Sequence, residues 1–138
     1  APENYMISTL LFCESRYPVN RRAIKKTAEA VLGERGVSDN VEVSVSIVGD
    51  RKMRLLNKKY REKDTTTDVL SFVQGEAMPA GRQGQWMTPP DGVLHLGDVI
   101  ISFPQARKNA IKKEVLIDDE INFLIRHGIL HLLGIHHE

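Results

Sequence analysis

The chain has 138 residues, of which 41% are hydrophobic and 27% charged, with a formal net charge of +1. This balance suits one globular domain over residues 1–138 and excludes a polycation, so any nucleic-acid binding must depend on local basic patches. The single cysteine, Cys13, excludes an internal disulfide and favours a reducing compartment. Without a signal peptide or an apolar run of about 18 residues, we expect a cytoplasmic protein that does not enter a membrane.

The first part of the chain alternates strands and helices. Residues 5–12 are predicted to form a strand, and a helix capped by Asn20 follows and ends at Gly33 or Gly36. From Val41, the sequence VEVSVSIVG alternates apolar and polar residues, which indicates a half-buried strand.

Asp50 is predicted to cap a second helix, RKMRLLNKKYREK, whose apolar residues share one face. The third strand is DVLSFV, a long surface loop covers residues 75–92, and VLHLGDVIIS is the fourth strand. A helix near Gln105–Val115 and a last helix beginning at Asp118 or Asp119 complete the chain. The order βαβαββαα predicts an α+β domain with a mixed sheet of about four strands packed with helices.

The sequence HGILHLLGIHH, from His127 to His137, predicts a metal site at the C-terminal helix. His127 and His131 are four residues apart, so on a helix their imidazoles project from one face. Gly134 suits a helix end, and the turn there would bring His137 back towards the other two. Three neutral nitrogen ligands leave a fourth position open to water, which is the usual form of a catalytic zinc site.

Other interpretations of this cluster stay open. A histidine on an apolar helix is often an ordinary core residue, and terminal histidines can be remnants of a purification tag. His136 is an alternative third ligand, and Glu138 could also approach the metal, although the spacing favours His137. Nickel, iron and copper suit three imidazoles as zinc does.

The same histidine spacing occurs in metzincin proteases, HExxHxxGxxH. Their general base is the glutamate beside the first histidine, and Gly128 occupies that position here. No methionine-containing turn follows His137 either. A zinc metallopeptidase is therefore disfavoured, although the metal-binding half of the motif remains.

A dense basic stretch precedes the third strand. From Arg51 to Lys63 there are seven basic residues and one acidic residue, Glu62. Such a surface suits a phosphate backbone, but a solvated helix face has the same pattern. A weaker second patch consists of Arg21, Arg22, Lys25 and Lys26.

Three blocks of the sequence resemble the YbeY-type endoribonucleases. They are LNKKYREKDTTTDVLSF at residues 56–72, LGDVIIS at 96–102 and HGILHLLGIHH at 127–137. The family patterns are LNxxYRxKDxPTDVLSF, LGDIxIS and HGxLHLxGYDH, so the resemblance covers nearly the whole chain. It implies an α+β fold, a metal in a cleft at the histidine helix, and hydrolysis of single-stranded RNA in small-subunit ribosomal RNA maturation and ribosome quality control. It also implies the ribosome or ribosomal proteins as partners.

The resemblance assigns roles to individual residues. It implies that His127, His131 and His137 bind the metal, and that Arg61 is catalytic together with His127. Arg61 would act as a bidentate phosphate partner. RNA contacts are predicted for Lys58, Lys59, Arg61 and Lys63. At Thr66 the family has a proline, and at Ile135 and His136 it has tyrosine and aspartate.

Several residues have more than one interpretation. Asp98 and Asp68 are candidate general bases, but each equally suits a turn or the support of a loop. Ser71 and His95 are similar cases, and the strand position of His95 favours a structural role. Trp86 suits either base stacking or surface anchoring.

Two further alternatives concern Arg61 and the whole chain. Arg61 could form a structural ion pair with Asp64 or Asp68. The chain could also be a non-catalytic ribosome-binding or RNA-binding assembly factor, in which a metal mainly stabilises the fold. Salt-dependent RNA affinity without turnover would favour that class. The sequence gives no indication of the oligomeric state.

Overall fold

The computed structural model describes residues 7–36, 40–73 and 92–135, and these form the predicted order βαβαββαα. The strands are β1 (Ile7–Cys13), β2 (Val41–Val48), β3 (Val69–Val73) and β4 (Leu94–Ser102). The helices are α1 (Arg21–Glu34), α2 (Asp50–Arg61), α3 (Phe103–Lys113) and α4 (Ile117–Leu132). All of the predicted loop except Gly92 lies outside the described residues, and so does Trp86.

The four strands form one mixed sheet, as the sequence predicted, and their order in it is β1-β2-β4-β3. β1, β2 and β4 are parallel, whereas β3 runs antiparallel to β4, with Ser71 opposite Val99. β3 is therefore an edge strand whose outer backbone groups have no strand partner within the described sheet. β4 contains a β-bulge opposite Glu42 and Val43, where Gly97 has a φ of 143°.

The sheet packs helices on both faces. The larger core lies between the sheet and helices α1 and α4, and includes the alternate valines of β2, such as Val43 and Val45. α4 contributes Ile125 and Ile129, which are fully buried. α2 covers part of the opposite face with Met53. Burial of each such side chain contributes about 1.5–3 kcal/mol to stability, so the packing of α4 on the sheet fixes the position of the exposed side chains of α4. No helix among the described residues is long and apolar enough to cross a bilayer.

The predicted N-cap role of Asp50 is wrong, since Gly49 is the cap residue and Asp50 is the first residue of α2. The Asp50 carboxylate faces inward instead, towards the junction of β4 and α3. There Ser102 caps α3 by accepting a hydrogen bond from the Gln105 amide at 3.2 Å, so α3 begins before the predicted Gln105. α4 likewise begins at Ile117, ahead of the acidic residues expected to start it.

Asp50 joins three separate parts of the chain. Its Oδ1 accepts hydrogen bonds from Ser102 Oγ at 2.7 Å, from Thr66 Oγ1 at 2.9 Å and from Gln105 Nε2 at 3.2 Å. Desolvation raises the pKa of the Asp50 carboxyl, but the hydrogen bonds from Ser102, Thr66 and Gln105 outweigh it, and the pKa is lowered overall. This network fixes the loop between α2 and β3 to the body of the fold.

Replacing Asp50 by alanine is expected to lower the free energy of unfolding by about 2–3 kcal/mol at neutral pH, because charge-assisted hydrogen bonds are lost. A lowered carboxyl pKa stabilises the fold above the ordinary value of about 3.9 and ceases to do so as the pH falls through the folded-state pKa. The difference in unfolding free energy between wild type and Asp50→Ala should therefore become smaller in acid. Urea unfolding across this pH range measures it, with Asp50→Asn as the control that keeps an acceptor oxygen. A difference in unfolding free energy that stays the same at every pH would contradict a stabilising role of the ionised Asp50 carboxylate.

Candidate active site at the outer edge of the sheet

Two of the predicted metal ligands face the same cleft. His127 and His131 lie one turn apart on the exposed side of α4, while its opposite side is buried against the sheet. The cleft has a volume of about 490 Å³ and runs along the outer edge of β3. Its lining also includes Arg61 and Lys63 from the end of α2 and the segment after it. Charged side chains and two predicted metal ligands, which come from distant segments, thus converge at one place.

The end of α4 has the geometry that the sequence predicted at Gly134. That residue has a φ of 80°, its amide donates to the His131 carbonyl at 3.0 Å, and the Ile135 amide donates to the Leu130 carbonyl at 2.9 Å. This pair of bonds is a Schellman motif, which ends the helix and redirects the chain. His136, His137 and Glu138 lie outside the described residues.

Gly128 allows α4 to approach β4 closely. A Cβ atom at this position would lie 2.7 Å from Cγ1 of the buried Val99. A larger residue would therefore require the helix to move or the valine to repack. The position that carries the catalytic glutamate in metzincins is thus occupied here by a packing residue, which agrees with the expectation against a peptidase.

Ser71 holds the ring of His131. The Ser71 Oγ and His131 Nδ1 atoms are 2.8 Å apart. If Nδ1 carries the proton and donates it to Ser71, the lone pair of Nε2 is left for a ligand bond. The sequence had not distinguished this role, because only the fold brings the middle of β3 against α4.

Arg61 is the last residue of α2 and covers the edge of β3. Its Nη2 donates to the Ser71 carbonyl at 3.0 Å, and its guanidinium carbon lies 4.6 Å from the centre of the Phe72 ring. These contacts fix the plane of the half-buried guanidinium at the rim of the cleft.

The two carboxylates proposed as ion-pair partners of Arg61 have other contacts. Asp64 Oδ1 accepts a hydrogen bond from Arg54 Nε at 2.8 Å. Asp68 Oδ2 accepts one from Asn109 Nδ2 at 3.0 Å. Neither carboxylate lines the cleft, and each binds a side chain of a helix, Arg54 of α2 or Asn109 of α3.

One wall of the cleft is a threonine-containing loop between α2 and β3. The buried Asn57 donates from Nδ2 to the Thr65 carbonyl at 2.9 Å, and Thr66 is bound by Asp50. These hydrogen bonds stabilise the wall. Lys63 and Thr65 belong to it and line the same cleft as the two histidines. Sequence reasoning missed Asn57, since a buried asparagine on a basic helix has no distinctive spacing.

The remaining candidates lie elsewhere. Lys58 and Lys59 are exposed on α2 but are not among the residues that line the cleft. Asp98 also lies outside the cleft lining, and partial burial raises the pKa of its carboxyl although the side chain reaches solvent. His95 Nδ1 lies 2.7 Å from Glu42 Oε1, in agreement with a structural role.

Within residues 7–36, 40–73 and 92–135, no group of three or more histidine, cysteine, aspartate or glutamate side chains could hold a metal ion. The described part of the site contains two of the three predicted ligands, His127 and His131. Their shared face, their exposure and the fixed ring of His131 fit a metal that takes imidazole ligands.

Comparison with known proteins identifies relatives over most of the chain. Residues 13–138 match the family model described as Endoribonuclease YbeY. Curated proteins of that name are similar: the one from Dehalococcoides mccartyi is 43% identical over 118 residues, covering 83% of this chain and 69% of the relative. The one from Aquifex aeolicus is 42% identical over 120 residues, covering 87% and 71%.

A solved structure supports the fold. The solution structure of TM1509 from Thermotoga maritima has a TM-score of 0.56 and 24% sequence identity, covering 96% of this chain and 75% of that one. At this identity, the likeness concerns the fold alone.

Proposed function

Because the chain belongs to the YbeY endoribonuclease family and is a hydrolase, we propose that it cleaves single-stranded RNA with the help of a bound metal ion. The process would be small-subunit ribosomal RNA maturation and ribosome quality control, with the ribosome or ribosomal proteins as partners. The observation that carries this proposal is the cleft that Arg61 lines together with two histidines, which are one helical turn apart on α4.

The proposed metal ligands are His127, His131 and His137, and zinc is the proposed ion, although nickel, iron or copper would suit the same imidazoles. When bound, zinc supplies Lewis acidity that lowers the pKa of water to about 7 and polarises a phosphoryl oxygen. The support in this chain is the pair of exposed imidazoles on α4 and the contact that fixes one of them.

Arg61 is proposed to bind the scissile phosphate. A guanidinium carries five N–H donors in one plane, and the Ser71 carbonyl and the Phe72 ring set that plane here. It offsets the negative charge that grows on the phosphorus oxygens as water attacks and the leaving oxygen departs. Lys63 lies beside it in the cleft and suits a flanking phosphate, whereas Lys58 and Lys59 would contact the backbone farther along α2.

Among the described residues, no carboxylate lines the cleft. Asp98 and Asp68 are thus poorly placed as general bases. The proposed chemistry therefore depends on activation of water at the metal and on stabilisation of charge by Arg61, and no described side chain is proposed to take the proton of the attacking water.

Replacing Ser71 by alanine is expected to weaken zinc binding about 10–100-fold, because His131 loses the partner that selects its tautomer and ring orientation. The fold should remain intact, since Ser71 is only half-buried. Competition with a chromophoric zinc chelator measures the affinity without any use of activity. Ser44→Ala, at another half-buried strand serine, is the matched control. Equal zinc affinity in the two variants would contradict the proposed role of Ser71.

The proposed function itself is tested with labelled single-stranded RNA, the corresponding duplex and casein. Cleavage of the single strand alone is the expected result. RNA that binds with salt-dependent affinity but remains uncut would contradict the proposal and favour an assembly factor. Cleavage of casein would favour a peptidase. Cleavage of casein is not expected, because a peptide substrate that adds as a strand to β3 would use backbone groups such as the Ser71 carbonyl. That carbonyl already accepts a hydrogen bond from Arg61.

A further inference from the structure

The first two turns of α1 carry a cluster of positive charge that the proposed chemistry does not use. All four members are exposed, and none forms an ion pair with a described carboxylate. They line one shallow concavity of about 400 Å³ together with Glu29. The cluster, here called the α1 basic face, consists of Arg21, Arg22, Lys25 and Lys26.

This placement opposes the stability of the helix. The N-terminus of a helix is the positive end of its dipole, and α1 has no acidic residue in its first turn. Arg21 with Lys25, and Arg22 with Lys26, are also like-charge pairs four residues apart, which repel each other. The other end of the chain follows the dipole rule, since the first turn of α4 holds Asp118, Asp119 and Glu120. The α1 basic face is therefore better explained by a partner than by helix stability.

A crevice next to this face extends it across the sheet. β1 and β2 are neighbouring parallel strands. The helix that follows β1, α1, packs on one face of the sheet, and the helix that follows β2, α2, packs on the other. In open α/β sheets, ligands bind where successive connections diverge in this way. The crevice has a volume of about 370 Å³, and both Arg21 and Lys52 line it. Phe12 also lines it and is 61% exposed, so its ring is available for stacking.

One carboxylate lies in the crevice, but its charge is compensated. Glu14 Oε2 accepts a hydrogen bond from the Gly49 amide at 2.9 Å, and Glu14 Oε1 pairs with Arg16 at 3.0 Å. The crevice therefore remains suited to an anion.

We propose that the α1 basic face and this crevice bind the sugar-phosphate backbone of the RNA at a distance from the cleavage cleft. The inference rests on the proposed function. α2 links the two places, because Lys52 lies in its first turn and Arg61 is its last residue, about 14 Å apart by helical rise. Phosphates would contact the cations, and a base would stack on Phe12.

The test compares two double variants, each of which neutralises two basic residues that are four positions apart on a helix. Arg21→Gln with Lys25→Gln neutralises half of the α1 basic face, and Lys108→Gln with Lys112→Gln is the matched control on exposed positions of α3. Affinity is measured by fluorescence anisotropy with a labelled oligouridylate of about 20 nucleotides over a range of salt. The α1 variant should bind about 10–25-fold more weakly near 0.1 M salt, with a salt slope smaller by about 1.4.

Thermal unfolding separates this loss from misfolding, because removal of repelling charges should leave the Tm of the α1 variant unchanged or higher. For cleavage, the α1 variant should raise KM for the long RNA without changing kcat, and should leave a tetranucleotide substrate unaffected. If the two double variants differ in RNA affinity but the wild-type chain does not cleave RNA, the proposed function is wrong, whereas the RNA-binding surface is supported.

Equal RNA affinity and salt slope in both double variants would overturn the inference. So would an α1 variant that loses binding to vesicles of anionic phospholipid while its RNA affinity is unchanged, since the partner would then be a membrane surface.

Discussion

Arg61→Ala is expected to lower kcat/KM for single-stranded RNA by about 10²–10³-fold, the usual effect of removing one preorganised donor to a developing negative charge. The guanidinium is held at the rim of the cleft by the Ser71 carbonyl and the Phe72 ring, so it needs little reorganisation when substrate binds. The loss should appear in kcat, because the stabilised charge develops in the transition state. Single-turnover cleavage of a labelled RNA measures it.

Two comparisons separate catalysis from folding. Arg61→Lys keeps the positive charge but loses the planar fork, and it should recover only part of the rate. Both variants should remain folded, because the described contacts that are lost are two backbone hydrogen bonds, to Tyr60 and Ser71, and one cation–π contact, each worth about 1 kcal/mol at the surface. If Arg61→Ala cleaves RNA within about twofold of wild type, Arg61 only caps the strand edge.

His131→Ala is expected to release the metal and to lower the cleavage rate by three orders of magnitude or more, since several kcal/mol of transition-state stabilisation depend on the ion. The side chain is exposed on α4, so the substitution should leave the core unchanged. Elemental analysis of the purified variant, together with its cleavage rate, checks both expectations. His127→Ala should behave in the same way.

His95→Ala is the matched control. It removes an imidazole of the same chemistry that pairs with Glu42 on the sheet, away from the cleft. It should retain the metal and the activity, with at most a loss of stability. If His131→Ala and His95→Ala keep the same metal content, α4 does not provide the metal site.

The sequence predicted the fold well where local pattern decides it. β2 alternates buried and partly buried residues as its sequence does, and the turn at Gly134 follows from glycine's access to positive φ. The predicted cap at Asp50 failed for a tertiary reason, because its carboxylate is bound by Ser102 from the far end of β4. Local rules alone cannot identify a competing partner that is distant in sequence.

The candidate site divides in the same way. The spacing of His127 and His131 lies within one helix, so the sequence was enough to place both imidazoles on one face. The contact of Ser71 with His131 joins residues 60 positions apart, and no spacing rule reports it. Asp64 and Asp68 were alternative ion-pair partners of Arg61 because they are close in sequence. Arg54, about two helical turns before Arg61 on α2, binds Asp64 instead, and Asn109 binds Asp68.

The most direct test of the central claim is to measure metal content and RNA cleavage on the same tag-free protein, before and after chelation and after zinc is restored. About one metal ion per chain is expected, with cleavage of single-stranded RNA lost on chelation and recovered when the metal returns. Cleavage that continues at the same rate in metal-free protein would contradict metal-dependent hydrolysis in this cleft.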